Sequence, residues 1–244
     1  MSYIVHKFGG SCLKSDSDLA RISELVNDSQ TRVVVVISAF NGVTNLLLRA
    51  IDECESSAAF ISEIRSIHRD ISSSSAKVVE TEEFARLLTR LQHDLDLSQP
   101  SQYVVAVKHR ILAYGERLAT LVVAEYLRST GINAEAVAAE DIGISIIGDG
   151  RQRRIDLAAS TPGILDVIQR GIIPVITGWY GSNEDGEIIV LERGGSDVTA
   201  AAIARILQAN KVVLWKDVEG VLAVPPRLGL KGLVIPYLGY GEAS

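Results

Sequence analysis

Two cysteines are too few for a disulfide framework, and Cys12 and Cys54 lie too far apart to read as a metal-binding pair. No uninterrupted apolar run approaches the ~20 residues that a membrane-spanning helix needs. The opening residues, MSYIVHKFGG, lack the basic flank and long apolar stretch of a secretory signal. An excess of basic residues is missing too: 24 Lys and Arg against 30 Asp and Glu give a net charge of −6. That balance argues against charge-driven binding of nucleic acid. These absences lead to the expectation of a soluble, cytoplasmic protein with neither nucleic acid nor membrane as a partner. Any anionic ligand must then be held by a local positive site.

The remaining composition, 47% hydrophobic and 22% charged, is that of an ordinary globular protein able to bury a sizeable core. Short apolar runs of strand length recur at Tyr3 to Lys7, Arg32 to Ser38, Ile132 to Ala138, Ile172 to Thr177, Glu187 to Leu191 and Lys211 to Trp215. Several are continuous rather than alternating (VVVVIS, IIPVIT, VVLW), the pattern of strands buried on both faces of a parallel sheet. Helical patterns separate them at Ser15 to Asp28, Asn45 to Glu55, Val104 to Ser129, Thr161 to Arg170 and Ser196 to Gln208. The alternation predicts a three-layer α/β/α sandwich around a mainly parallel sheet. Residues 55–105 contain no strand candidate and read as a helical insertion, with a mobile turn at the serine tract 72–76. A loop near Ile147 to Gln152 is the expected passage from an N-terminal lobe (about 1–147) to a C-terminal lobe (about 148–244).

Five stretches carry chemistry. The first is VHKFGGSC at 5–12, a strand, a lysine and two glycines. Glycines after a strand let backbone N–H groups approach a phosphate, and a lysine adds a point charge. From this segment alone, an exposed strand end with a Gly-Gly turn is the favoured reading. The order is not that of a Walker motif, because the lysine precedes the glycines. The second is VVVVISAFNGVTN, a buried strand running into a loop at its carboxyl end, where open α/β sheets bind ligands. Ser38 and Thr44 there suit a carboxylate, although capping of the next helix is the favoured reading of Thr44. The third is YGERLA at 114–119, whose Glu116 and Arg117 stand among apolar neighbours and so are either paired with each other or functional.

The fourth runs from Thr177 to Ala204. An Asp-Gly hairpin leads to Arg193-Gly194-Gly195-Ser196-Asp197 and an alanine-rich helix. Arg193 suits two-pronged binding of a carboxylate, the two glycines suit phosphate, and Asp197 either caps the helix or orders a lysine or Mg²⁺. The fifth, VLWKDVEGVLAVPPR, ends a buried strand in a loop containing Lys216, Asp217 and Gly220, a seat for a base and ribose or a plain surface turn.

In this order the five stretches resemble the catalytic domain of the aspartate kinases within the amino-acid kinase family. The carriers are KFGGSC, ISAFNGVTNLLL, GERL, TGWYGSNEDGEIIVLERGGSDVTA and WKDVEGVLAVPPR. The resemblance spans nearly the whole chain and weakens between residues 55 and 105. It implies ATP-dependent phosphorylation of the L-aspartate side-chain carboxylate, with Mg²⁺ bound through the phosphates. A sibling kinase acting on glutamate, N-acetylglutamate or a nucleoside monophosphate, or a fragment that binds without turnover, is the alternative.

Position by position, the resemblance implies that Lys7 stabilises the transferring phosphoryl and that Asp197 organises it. Ser38, Thr44, Glu116 and Arg193 would hold aspartate, with Glu116 at the ammonium and Arg193 at the α-carboxylate. ATP would be bound by Lys7, Gly9, Gly10, Ser11, Gly194, Gly195, Ser196, Trp215, Lys216, Asp217, Gly220, Val221 and Arg227, with no protein ligand to a metal.

Three positions depart from the family pattern: Lys216 stands for Thr or Ser, Pro225 for Asp, and Glu192 for Gly. Where the sequence ends in GYGEAS the family continues with a helix, a further nucleotide-side lysine and usually ACT domains. The expectation is therefore a C-terminally truncated unit without an ACT domain, and homo-oligomeric assembly, dimeric through those further domains in a longer form.

Overall fold

The computed structural model describes residues 2–52, 56–98, 105–218, 220–224 and 233–237. Its central sheet has five parallel strands in the order β3-β6-β2-β1-β9. These are β1 (Tyr3–Phe8), β2 (Arg32–Ile37), β3 (Ala134–Val137), β6 (Ile173–Thr177) and β9 (Lys211–Trp215). The continuous apolar runs account for the arrangement: Val33 to Ile37 and Val175 to Ile176 are buried on both faces. β1 lies between β2 and β9 in parallel register, Lys7 opposite Val36 and Leu214. Glu187 to Leu191 is a strand outside this sheet. Its β8 (Ile188–Val190) pairs antiparallel with β7 (Tyr180–Ser182), closing the hairpin that the Asp-Gly turn predicts. The region foreseen as a plain loop at Ile147 to Gln152 instead joins a second small hairpin, β4 (Ile146–Ile147) with β5 (Arg154–Ile155), around a 3₁₀ turn at Gly150–Gln152.

Helices cover both faces. On one lie α1 (Asp16–Asn27) and the 25-residue α6 (Val105–Ser129), which packs on β3 and β6. On the other lie α7 (Leu157–Gln169) and α8 (Gly195–Ile206), the latter over β1 and β9. Ser15 opens α1 through a capping box with Asp18, and Asp156 caps α7 by accepting from Ala158 and Ala159 N–H. That cap starts α7 four residues earlier than Thr161, and Pro162 is tolerated within its first two turns.

The insertion forms three helices, α3 (Ser57–Arg69), α4 (Ser73–Val78) and α5 (Glu82–Leu97), packed with α2 (Val43–Asp52) outside α6. The serine tract is not a turn. Ser72 caps α4 by accepting from Ser75 N–H at 3.0 Å, so the serines start a helix rather than break one. His68 of α3 is fully buried here, its ring between Phe40 and Phe84, with Nδ1 2.7 Å from the Ile64 carbonyl. Burial pushes its pKa down to about 4.

Candidate active site

Parallel strands lead all their carboxyl ends to one edge of the sheet, and there β1, β2 and the N-terminus of α8 enclose a cleft of about 350 Å³. Lys7 is its base. The side chain comes from the penultimate residue of β1, is 5% exposed, and places Nζ 2.7 Å from Asp197 Oδ1. Burial lowers the Lys7 pKa, and the Asp197 hydrogen bond and charge recover only part of the loss. The same carboxylate accepts from Lys216 Nζ at 2.9 Å through its other oxygen. Burial works against ionising Asp197, but the bonds from Lys7 and Lys216 outweigh it and hold the carboxyl below its ordinary range. Asp197 thus orders two cations and does not cap α8. Its N-cap is Gly194, whose φ of 87° only glycine adopts freely.

Glu116 enters from the middle of α6. The helix comes close because Gly115 has no side chain: a Cβ there would lie 2.9 Å from the Ala39 Cβ. Glu116 Oε1 then accepts from Ala39 N–H at 3.1 Å, while Oε2 is buried without a hydrogen-bond partner among the described residues. Burial drives the Glu116 pKa up to about 8, against smaller opposing effects of the Ala39 bond and the Lys7 charge. The expected Glu116–Arg117 pair is absent: Arg117 turns away and pairs with Glu140. Neighbours on a helix face apart, so adjacency in sequence made that pair a poor choice.

Ser38 Oγ donates to Ser196 Oγ at 3.0 Å, tying the β2 loop to the α8 N-terminus. Thr44 lines the cleft as the second residue of α2, inside the helix and not at the cap position. Arg193 is exposed on the cleft wall with neither hydrogen bond nor ion pair among the described residues. Gly9, Gly10, Ser11, Gly194 and Gly195 also line it, and the backbone N–H groups at the start of α8 add a partial positive charge.

The nucleotide-side assignments divide. Lys216 lines the cleft, whereas Trp215, Asp217, Gly220 and Val221 do not. Trp215 instead donates from Nε1 to His6 Nδ1 at 2.9 Å and stacks on Phe8. Asp217 faces Lys14 Nζ at 3.8 Å, and Val221 is exposed. Arg227 and Pro225 lie outside the described residues. Sequence reasoning left out Asn41 and Trp179, both on the cleft wall. Trp179 carried a signal only in its setting between Gly178 and Tyr180. Its φ of 73° is unusual for a bulky residue and is held by Nε1 donating to the Leu191 carbonyl at 2.7 Å.

The sequence model of the Amino acid kinase family matches residues 2–244. The chain belongs to the amino acid kinase family. Among curated members, it is 29% identical to Aspartokinase 1, chloroplastic, of Arabidopsis thaliana across 98% of its own length and 44% of that protein's. It is 31% identical to the Aspartokinase of Chlamydia pneumoniae across 99% of its length and 53% of that protein's. The chain thus spans about half the length of these relatives. Among solved structures, E. coli aspartokinase III in complex with aspartate and ADP superposes with a TM-score of 0.84 at 27% identity, over 96% of this chain and 53% of that one. The same family protein in its complex with lysine and aspartate gives a TM-score of 0.80.

No helix among the described residues is long and apolar enough to cross a membrane.

Proposed function

We propose that this chain is the catalytic unit of an aspartate kinase, transferring the γ-phosphoryl of ATP to the side-chain carboxylate of L-aspartate. The observation that carries the reading is the charge arrangement in the cleft: a buried carboxylate with an unpartnered oxygen (Glu116), an unpaired guanidinium (Arg193), and a lysine held by Asp197. An α-amino acid is the complement of the first two. Its ammonium meets Glu116, its α-carboxylate meets Arg193, and Ser38 and Thr44 serve its remaining oxygens. The side-chain carboxylate then faces Lys7. Aspartokinases as relatives, and the aspartate and ADP held by the E. coli enzyme, support the same substrates.

In this reading Lys7 offsets charge on the oxygens of the transferring group, and the N–H groups around Gly9, Gly10, Gly194 and Gly195 hold the phosphates. Phosphoryl transfer needs little more from a protein than such positioning and charge stabilisation. Asp197 acts through Lys7 by fixing its Nζ, and Lys216 adds a second cation where the family pattern has Thr or Ser.

Mg²⁺ does not fit as a protein-held ion. No group of three His, Cys, Asp or Glu side chains among the described residues could hold it, and both oxygens of Asp197 are already on lysines. The ion would arrive on the nucleotide phosphates. In this proposal residues 1–147 chiefly hold the amino acid and 148–244 the nucleotide, with Arg193 crossing to the amino acid and Lys7, Gly9 and Gly10 crossing to the phosphates. A cytoplasmic setting, homo-oligomeric assembly and service to lysine, threonine and methionine synthesis belong to the same proposal.

The test is hydroxamate trapping of the acyl phosphate with ATP, Mg²⁺ and a panel of aspartate, glutamate and N-acetylglutamate. Aspartate-dependent trapping is expected. Activity with another acceptor and none with aspartate overturns the proposal, as does saturable aspartate binding without trapping.

A further inference from the structure

We infer that a second cavity, beside α6 and apart from the cleft, is a binding site for a small zwitterion with an apolar body. The cavity measures about 310 Å³ and lies between α5, α6 and the loop that follows β3. One wall is built rigidly. The Arg117 guanidinium sits over the rings of Tyr114 and Tyr180 at 5.0 and 5.3 Å from their centroids and pairs with Glu140. The Tyr180 hydroxyl donates to the other Glu140 oxygen at 2.7 Å and accepts from Arg117 Nε at 3.2 Å. Arg117 and Glu140 therefore satisfy each other and leave the cavity its shape.

The other lining charges are exposed, and they include Glu83, one turn before Arg86 on α5, which makes no hydrogen bond or ion pair among the described residues. Arg86 and Arg90, one helical turn apart on α5, make no hydrogen bond or ion pair among the described residues. Neither does the carboxylate of Asp141 on the loop across from them, whose ionisation burial and the neighbouring Glu140 both disfavour. Two guanidiniums side by side are complementary to a carboxylate, and Asp141, next to Glu140, feels the charges of Arg117 and Arg170 without a hydrogen bond or ion pair to either. A simple anion answers only the arginines and a simple amine only Asp141. A ligand with a carboxylate at one end and an ammonium at the other answers both, and Leu87 and Leu121 offer its hydrocarbon portion an apolar surface.

The site is wired to the cleft by the chain itself. Arg117 directly follows Glu116, and Thr177 on the cavity lining directly precedes Gly178, whose missing side chain admits Ser196: a Cβ there would lie 2.6 Å from the Ser196 Cβ. A bound zwitterion thus rests on residues adjoining two walls of the cleft.

The proposal does not depend on the kinase reading, and its test uses binding alone. The full chain is titrated calorimetrically with 6-aminohexanoate, with hexanoate and hexylamine as one-ended controls. Saturable binding of 6-aminohexanoate is expected, with each control at least tenfold weaker. The double variant Arg86→Gln/Arg90→Gln, altered only at exposed side chains, should lose at least tenfold in affinity, and Arg193→Gln in the cleft should not change it. Asp141→Asn should weaken 6-aminohexanoate but leave hexanoate as it was. Absence of saturable binding, indifference to Arg86 and Arg90, or loss of binding in Arg193→Gln overturns the assignment.

Discussion

Replacing Glu116 by glutamine tests the site through its proton. Glu116 is 2% exposed, one oxygen has no partner among the described residues, and burial pushes its pKa up to about 8 from an ordinary 4.5. Between these values the folded protein keeps a proton that the unfolded chain releases. The protonated carboxyl is therefore fully tolerated below pH 4.5, and stability falls as pH rises from there through 8. At about 1.4 kcal/mol per pH unit the span amounts to at most about 5 kcal/mol, reduced by whatever water and relaxation the ionised form recruits. Urea midpoints of wild type should drop between pH 5 and 8 relative to Glu116→Gln, whose side chain cannot ionise.

Substrate binding reverses the preference, because an ammonium against Oε2 favours the carboxylate. At pH 7 a group with a pKa near 8 is about nine-tenths protonated, so aspartate binding should release close to one proton. Calorimetric titrations in buffers of different ionisation enthalpy measure that release directly. It should fall to about half at pH 8 and about a tenth by pH 9, and vanish in Glu116→Gln. Parallel pH profiles of wild type and variant, or a proton release of zero at pH 7, would refute the assignment of Glu116 to the ammonium.

Other outcomes follow from the same geometry. Lys7→Met should lower turnover by 10²–10³-fold, about 3–4 kcal/mol of transition-state stabilisation, while calorimetric aspartate affinity stays near wild type. Arg193→Lys keeps the charge but not the two-pronged contact, so aspartate should bind about 1.5–3 kcal/mol more weakly by titration. Gly10→Ala places a Cβ 2.9 Å from the Ala39 carbonyl oxygen, in the loop that also reaches Glu116. It should reduce thermal stability by about 1–3 kcal/mol and turnover with it. His68→Phe should remove an acid-side loss of stability. The buried ring stays neutral, so wild type loses about 3 kcal/mol as pH falls from 6.5 to its folded pKa near 4, and urea midpoints of the variant should not follow.

How far the sequence carried the reading depended on the range of the physics involved. Unbroken apolar runs such as Val33 to Ile37 reveal a strand buried on both faces, and glycines beside a lysine or an arginine mark places where backbone meets anion. Local chemistry was enough for the parallel sheet, the Asp-Gly hairpin and much of the cleft lining: Lys7, Ser38, Glu116, Arg193 and Asp197 all line one cleft. The serine tract failed in the opposite sense, because a serine that starts a helix and one that ends it look alike until Ser72 is seen to cap α4.

Contacts between distant segments could not be read at all. Asp197 bridges Lys7 and Lys216 because β1 and β9 lie side by side under the start of α8, a pairing of residues far apart in the chain. Arg117 abandons Glu116 for Glu140 because successive side chains on α6 point in different directions, one to the cleft and one to the second cavity. Sequence therefore determined which residues carry charge and which segments run as strands. Packing α6 against the sheet through Gly115 decided which of those charges are buried, which are paired, and which, like Glu116 Oε2, have no hydrogen-bond partner among the described residues.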